Sequence, residues 1–266
     1  MRRFFFSCDS INGMSLRIGI FDSGVGGLSV LKELYQDIHA EYVYLGDSLR
    51  APYGNKTPVE LLGYMKELLL FLKSKNVDMY ISACNSLSTL ETEHLLKELA
   101  VAPSQYIDMK RFAEQAVTTL PKNTRVLIFT TEATRASGVY QHVFSEHDVL
   151  TLSSRVLAEA IEEQNQIAID EEVDGLLDYI LENAVTHVFL GCTHYPLIQE
   201  YLDKRFLDLG ITFINPAQYT PSSLVTIKEE NITKSIEIYT TKKTTAWDIY
   251  SKGFDETSTV HEVSFF

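Results

Sequence analysis

Short apolar runs alternate with longer helical patterns along almost the whole chain. The apolar runs lie at 17–21, 42–45, 77–81, 125–129 and 185–190. The helical patterns between and after them include 28–35, 60–73, 86–99 and 196–206. Such alternation predicts a mainly parallel sheet with helices on both faces, and near-continuous apolar strands indicate burial on both sides. We therefore expect an α/β fold.

Two segments of the chain repeat one form. Residues 80–86 and 188–194 each combine an apolar strand, a small residue, a cysteine and polar residues that open a helix. The two cysteines, Cys84 and Cys192, stand about one domain length apart in the sequence. This repeat predicts two pseudo-symmetric α/β domains, each of which presents a thiol at the same place.

The expected domain boundaries follow from this repeat, from the chain length, and from a weak boundary at 100–104 with a return crossing near 215–216. The 266 residues are many for one compact domain and few for three. We expect residues 17–99 plus 216–266 to form the first α/β domain and residues 100–215 to form the second. Residues 1–16 are expected to be an N-terminal extension. Their start imitates a signal peptide, but its apolar core is too short for one.

The two cysteines stand where ligands usually bind, because ligands of open parallel sheets lie outside the carboxyl ends of the strands. A buried cysteine is often inert, yet two in equivalent positions favour a chemical role. A helix start lowers the pKa of a thiol toward neutrality. Asn85, Ser86 and Thr193 follow directly, and short polar side chains suit substrate carboxylates. His194 can hold a proton beside Cys192.

Two opposed thiols suit one reaction class in particular. A metal site is not predicted, because Cys84, Cys192 and His194 lack the spacing of metal ligands. A cysteine hydrolase needs one nucleophile, and a redox dithiol usually uses near neighbours. Inversion of a stereocentre does need two such groups, since one removes a proton from one face and the other returns a proton to the opposite face.

A glycine-rich segment, Asp-Ser-Gly-Val-Gly-Gly at 22–27, follows the first strand and opens a helix. Its N–H groups can bind an anion, or the segment can be a tight strand-to-helix turn. It is not a dinucleotide fingerprint, because Ser29 stands where the last glycine belongs, and it lacks the Walker A pattern. Asp22 can orient an ammonium group or accept a proton.

Composition excludes several classes of partner. The formal net charge of −13 argues against a nucleic-acid binder and against binding to anionic membranes. No apolar run approaches the length of a membrane span. The chain has three cysteines, an odd and small number that cannot build a disulfide framework. This favours a reducing, cytoplasmic setting.

Four motifs in register resemble the glutamate racemase family: residues 22–27, Pro-Tyr-Gly at 52–54, Ala-Cys-Asn-Ser at 83–86 and Gly-Cys-Thr-His-Tyr-Pro at 191–196. The resemblance implies two α/β domains with the active site in the cleft between them. It also implies a cofactor-independent, two-base interconversion of L- and D-glutamate that supplies D-glutamate for peptidoglycan. Members of the family are often homodimers.

The resemblance also implies roles for individual residues. Cys84 would take the proton from D-glutamate and Cys192 from L-glutamate, with Asp22 assisting the first and His194 the second. The expected substrate-binding residues are Ser23, Tyr53, Gly54, Asn85, Ser86, Thr131, Thr134 and Thr193. Glu162 is a further candidate for an acidic helper, although the segment 154–162 keeps little of the family pattern. Thr130 replaces the glycine that usually precedes Thr131.

Two alternatives stay open. The chain can be another racemase of the superfamily, acting on aspartate or a hydantoin. The sequence Gly-Cys-Thr-His at 191–194 favours glutamate, because aspartate racemases resemble Gly-Cys-Thr-Glu there. The chain can also keep the fold and act by binding a macromolecular partner.

Overall fold

The computed structural model describes residues 16–221, 224, 234–252, 254 and 259–265. Within these residues the chain forms ten strands. They are β1 (Arg17–Asp22), β2 (Glu41–Gly46), β3 (Met79–Ser82), β4 (Tyr106–Asp108), β5 (Arg125–Thr131), β6 (Asp148–Ser154), β7 (His187–Gly191), β8 (Thr212–Ile214), β9 (Ser235–Thr240) and β10 (Val260–Glu262). Residues 1–15 of the expected N-terminal extension lie outside the described residues, and Leu16 is buried beside β1.

The strands form two sheets. The first has the order β10-β9-β2-β1-β3-β4, and the second has the order β6-β5-β7-β8. Every pairing is parallel, which confirms the predicted α/β fold with parallel sheets. Strand β4 belongs to the first sheet, although its residues fall in the range expected for the second domain. The division into 17–99 plus 216–266 and 100–215 stays a prediction.

Helices lie between the strands. They are α1 (Leu28–Asp37), α2 (Pro58–Ser74), α3 (Glu93–Glu98), α4 (Met109–Val117), α5 (Glu132–Ser137), α6 (Val139–Val143), α7 (Leu157–Glu162), α8 (Gln166–Asn183), α9 (Gln199–Arg205) and α10 (Thr245–Tyr250). Short 3-10 helices occur at Tyr53–Asn55, Leu87–Thr89, Pro103–Gln105, Tyr195–Ile198, Leu207–Leu209 and Pro216–Gln218. Among the described residues, no helix has the length and apolarity needed to span a bilayer.

The continuous helix predicted at 86–99 is wrong. A single 3-10 turn follows Cys84, and α3 begins only at Glu93. The Ser88 hydroxyl donates to the carbonyl of Cys84 at 3.1 Å and accepts the N–H of Met109 at 3.1 Å. The Ser88 N–H keeps its helical bond to the same carbonyl at 3.1 Å, and the chain leaves the helical path at Leu90, whose backbone is extended.

Both faces of each sheet are covered by apolar side chains. In β1, Ile18 and Ile20 pack on one face of the first sheet and Phe21 on the other. In β5, Leu127 and Val126 divide in the same way between the two faces of the second sheet. Successive strand residues point to opposite faces, so these strands are apolar at nearly every position, as the sequence predicted.

Candidate active site

Both cysteines line one narrow cavity between the carboxyl ends of the two sheets. Cys84 follows β3 of the first sheet, and Cys192 follows β7 of the second. The predicted residues that line the cavity are Ser23, Tyr53, Gly54, Cys84, Asn85, Ser86, Thr131, Cys192, Thr193 and His194, and Pro52 and Ala158 also line it. The volume of about 20 Å³ holds about one water molecule. A cavity of this volume is too small for an amino acid.

Three predicted residues stand behind this lining. Asp22 contacts the cavity residue Thr193, Thr134 contacts Thr131, and Glu162 contacts His194. The structure thus brings all thirteen predicted site residues into one continuous group, with ten in the lining and three directly behind it.

Cys84 carries a buried thiol, and its side chain is only 4% exposed. Burial raises the pKa of Cys84 well above its usual range, and the charge of Asp22 raises it further. Hydrogen bonds from the N–H groups of Leu87 and Ser86 lower this pKa, but by less. The expectation that the helix start brings the thiol pKa toward neutrality is therefore wrong for Cys84, because desolvation outweighs the backbone donors.

Asp22, the last residue of β1, is fully buried. Its Oδ2 accepts the N–H of Gly27 at 2.5 Å and the hydroxyl of Thr193 at 3.2 Å. Burial raises the pKa of Asp22, whereas the charge of His194 and a contact with the Cys84 thiol lower it by less. Its Oδ1 is buried and accepts no bond of ordinary geometry from a described residue. This oxygen is free to accept a proton.

Cys192, His194 and Glu162 form a chain of contacts on the other side of the cavity. Cys192 Sγ lies 3.9 Å from His194 Nδ1, and His194 Nε2 lies 2.7 Å from Glu162 Oε2. Burial lowers the pKa of His194, but its bonds to Cys192 and Glu162 outweigh burial and raise that pKa well above its usual range. Burial raises the pKa of Glu162, and the bond to His194 reverses this and lowers it. Both directions favour an imidazolium facing a carboxylate beside Cys192.

The glycine-rich segment lets these residues of the second sheet approach the first. A Cβ atom on Gly24 would lie 2.7 Å from Glu162 Oε2, and one on Gly26 would lie 2.5 Å from His194 Nδ1. The N–H of Val25 donates to Glu162 Oε2 at 3.4 Å. The segment is therefore a tight turn whose glycines leave room for Glu162 and His194. The N–H of Val25 faces the carboxylate of Glu162.

Hydroxyl groups cluster where the two sheets meet. Ser86 Oγ lies 3.4 Å from Thr131 Oγ1, which lies 3.0 Å from Thr134 Oγ1. A Cβ on Gly54 would lie 2.9 Å from the Cβ of Thr131, so a larger residue there would push the sheets apart. Thr130 stands where the resembling family usually has glycine. Its hydroxyl donates to the carbonyl of Gly191 at 2.6 Å, so the larger side chain is accommodated by a hydrogen bond.

Sequence reasoning missed three residues that support the lining. Asp47 is fully buried and accepts a hydrogen bond from the Tyr53 hydroxyl. Ser29 donates its hydroxyl to the carbonyl of Thr193 at 3.0 Å. Tyr140 donates its hydroxyl to Asn85. The position of Ser29, just after the glycine-rich segment, was visible in the sequence, whereas the partners of Asp47 and Tyr140 depend on tertiary contacts.

Among the described residues, no group of three or more histidine, cysteine, aspartate or glutamate side chains has an arrangement that could hold a metal ion.

Comparison with known proteins gives a consistent result. The family model described as Asp/Glu/Hydantoin racemase matches residues 18–220. The chain is 32% identical over 236 residues to the glutamate racemase of Aquifex aeolicus, with 86% of this chain and 89% of that protein covered. It is 34% identical over 202 residues to the glutamate racemase of Persephonella marina, with 74% and 77% covered.

Solved structures agree with the sequence relatives. Glutamate racemase from Bacillus anthracis superposes with a TM-score of 0.81 at 25% identity, covering 94% of this chain and 98% of that one. Glutamate racemase from Aquifex pyrophilus gives a TM-score of 0.70 at 29% identity, covering 92% and 98%.

Proposed function

Because the chain belongs to the Asp/Glu/hydantoin racemase family and is an amino-acid racemase, we propose that its substrate is glutamate and that two cysteines exchange the α-proton. The observation that carries the proposal is that Cys84 and Cys192, from different sheets, line one cavity. The named relatives are glutamate racemases, and His194 stands in the motif that favours glutamate over aspartate.

The first half-reaction needs a thiolate on one side of the substrate. In the direction from D- to L-glutamate, Asp22 takes the proton of the Cys84 thiol, and the Cys84 thiolate removes the α-proton. The raised pKa of Asp22 suits it for this transfer, since a carboxylate with an ordinary pKa is a weaker base. The carbon then carries the electron pair of the broken C–H bond.

The second half-reaction returns a proton to the opposite face. The Cys192 thiol donates its proton to that carbon, which forms L-glutamate and leaves a Cys192 thiolate beside the His194 imidazolium. The positive charge stabilises the thiolate, and Glu162 holds the imidazolium in its protonated form. The reverse reaction begins at Cys192, so each sulfur is the base in one direction and the acid in the other.

Neutral donors take the place of ion pairs around the substrate. Among the described residues that line the cavity there is no lysine or arginine. Ser23, Asn85, Thr131 and Thr193 offer hydroxyl or amide groups for the two carboxylates. Closure of the sheets excludes water, which strengthens these interactions and protects the carbanion.

The test is incubation of L-glutamate with the purified protein in D₂O without added cofactor. Chiral chromatography and NMR should detect α-deuterated D-glutamate. Absence of α-hydrogen exchange with both enantiomers contradicts the proposal, and a preference for L-aspartate in the same assay favours the aspartate alternative.

The biological setting belongs to the same proposal. D-Glutamate made in the cytoplasm would supply peptidoglycan synthesis, and the protein would act as a homodimer. Depletion of the protein in its host should then stop growth unless D-glutamate is supplied, and sedimentation should give twice the chain mass. Growth of the depleted host without added D-glutamate contradicts the role in peptidoglycan synthesis. A monomer at working concentration contradicts the homodimer.

A further inference from the structure

Tyr140 comes from the side of the second sheet, yet its hydroxyl ends beside a residue of the first. It lies in α6, is fully buried, and packs edge-on against Phe189 of β7 with ring centroids 4.9 Å apart. Its hydroxyl donates a hydrogen bond to Oδ1 of Asn85, the residue after Cys84. This bond supports the cavity lining from behind.

The two ends of the Asn85 amide have different surroundings. Oδ1 accepts the bond from Tyr140, whereas Nδ2 is buried and has no hydrogen-bond partner among the described residues. Asn85 is 2% exposed and lines the cavity. A buried N–H group without an acceptor costs about 1–3 kcal/mol, so this amino group points to an acceptor that a ligand brings.

A neutral tyrosine hydroxyl can donate and accept hydrogen bonds, and in the structure that of Tyr140 donates to the amide oxygen of Asn85. Burial raises the pKa of Tyr140 well above its usual range, and nearby negative charges raise it further, so the hydroxyl keeps its proton. A turned amide would present its nitrogen to Tyr140 and its oxygen to the cavity, and the buried Tyr140 proton would lose the acceptor that Oδ1 gives it. That oxygen would repel a carboxylate.

We infer that Tyr140 is a positioning residue that holds the Asn85 amide with its amino group toward the cavity, where it donates to a carboxylate of the substrate. The inference rests on the proposed function, since glutamate brings two carboxylates to a lining without lysine or arginine. Tyr140 itself does not touch the substrate and acts through Asn85.

The first test is Tyr140→Phe, which keeps the ring and removes the hydroxyl. A hydrogen bond contributes about 0.5–1.5 kcal/mol net, so KM for glutamate should rise about 3- to 10-fold, with kcat close to the wild-type value. The matched control is Tyr42→Phe. Tyr42 is also buried and donates to the carbonyls of Leu34 and Ile38 at 3.0 and 2.8 Å. The control should lose stability and keep the wild-type KM.

The second test is a double-mutant cycle with Asn85→Ala. If Tyr140 acts through Asn85, then Tyr140→Phe adds no further rise in KM once Asn85 is replaced. A merely structural tyrosine would give effects that multiply. A wild-type KM in folded Tyr140→Phe, or multiplied effects in the cycle, overturns the inference.

A measurement on the unchanged protein does not depend on folding of a variant. With ¹⁵N-labelled asparagine, the side-chain amide resonances of Asn85 should shift on addition of D-glutamate. Unmoved resonances at saturating D-glutamate overturn the inference while leaving racemisation intact. A wild-type protein that exchanges no α-hydrogen of glutamate instead removes the proposed function, and the inference with it.

Discussion

Replacing Glu162 by glutamine removes the negative charge that faces His194 and keeps a side chain of the same shape. The Oε2 to Nε2 distance is 2.7 Å, and the two side chains are only 13% and 7% exposed. Ser48 can still donate to the amide oxygen, as it does to Glu162 Oε1 at 3.1 Å. The change therefore removes the charge of Glu162 and replaces the acceptor that faces His194 and the Val25 N–H by a donor.

The magnitude follows from this burial. A hydrogen bond to a charged group contributes about 1.5–3 kcal/mol, and solvent screens this pair little. The free energy of unfolding of Glu162→Gln should be lower than that of the wild type by about that amount at neutral pH. If the same interaction is lost in the transition state, kcat/KM falls by about 10- to 100-fold, equally for both enantiomers because their free energies are equal.

The pH dependence has a definite sign. The raised pKa of His194 gives stabilisation that is complete below the ordinary histidine pKa and is lost as pH rises through the raised one. The lowered pKa of Glu162 gives stabilisation that is complete above the ordinary carboxyl pKa and is lost as pH falls through the lowered one. The difference in unfolding free energy is therefore largest between these limits and shrinks at both ends.

The assay combines urea unfolding at several pH values with pH–rate profiles for racemisation. In Glu162→Gln the alkaline limb of the rate profile should move to lower pH, because His194 loses its proton more easily. Glu163→Gln is the control, since Glu163 is the exposed neighbour and loses the same charge. Wild-type rates and an unmoved alkaline limb in Glu162→Gln would refute the role assigned to the pair.

Three further outcomes test the packing and electrostatics of the site. Gly26→Ala should lower kcat/KM by about 100-fold in steady-state assays, because its Cβ would lie 2.5 Å from His194 Nδ1; Gly63→Ala, with open space around its Cβ, should instead raise stability by about 0.5–1 kcal/mol. Ser29→Ala should lower the free energy of unfolding by about 1–3 kcal/mol in urea, because the buried carbonyl of Thr193 loses its donor. Calorimetry should find modest glutamate affinity with weak salt dependence, and a tight, strongly salt-dependent complex would contradict a site built from neutral donors.

The parallel sheets could be predicted from sequence because their central strands are apolar at nearly every position. The shortest strands could not, since β4, β8 and β10 have three residues each and show no periodicity. The helix predicted at 86–99 is broken at Leu90, whose backbone is extended. Apolar spacing alone does not reveal that break.

The site could be predicted to the extent that its residues stand at strand ends. Cys84 and Cys192 lie far apart in the sequence and follow strands of different sheets, and the repeat of two similar halves led to the expectation of a shared cavity. Tyr140 could not be found in this way. Its role depends on a hydrogen bond to the side-chain amide of Asn85, which forms only in the folded chain. The raised pKa of Cys84 was also missed, since burial is a property of the fold.

Hydrogen exchange in the two single-cysteine variants tests the two-base mechanism most directly. Cys84→Ala and Cys192→Ala are each incubated in D₂O with one enantiomer of glutamate, and the recovered amino acid is analysed for α-deuterium and configuration. We expect no racemisation by either variant. Cys84→Ala keeps Cys192 and should place deuterium only in L-glutamate. Cys192→Ala keeps Cys84 and should place deuterium only in D-glutamate. Racemisation by either variant, or exchange of the same enantiomer by both, would contradict one sulfur acting on each face.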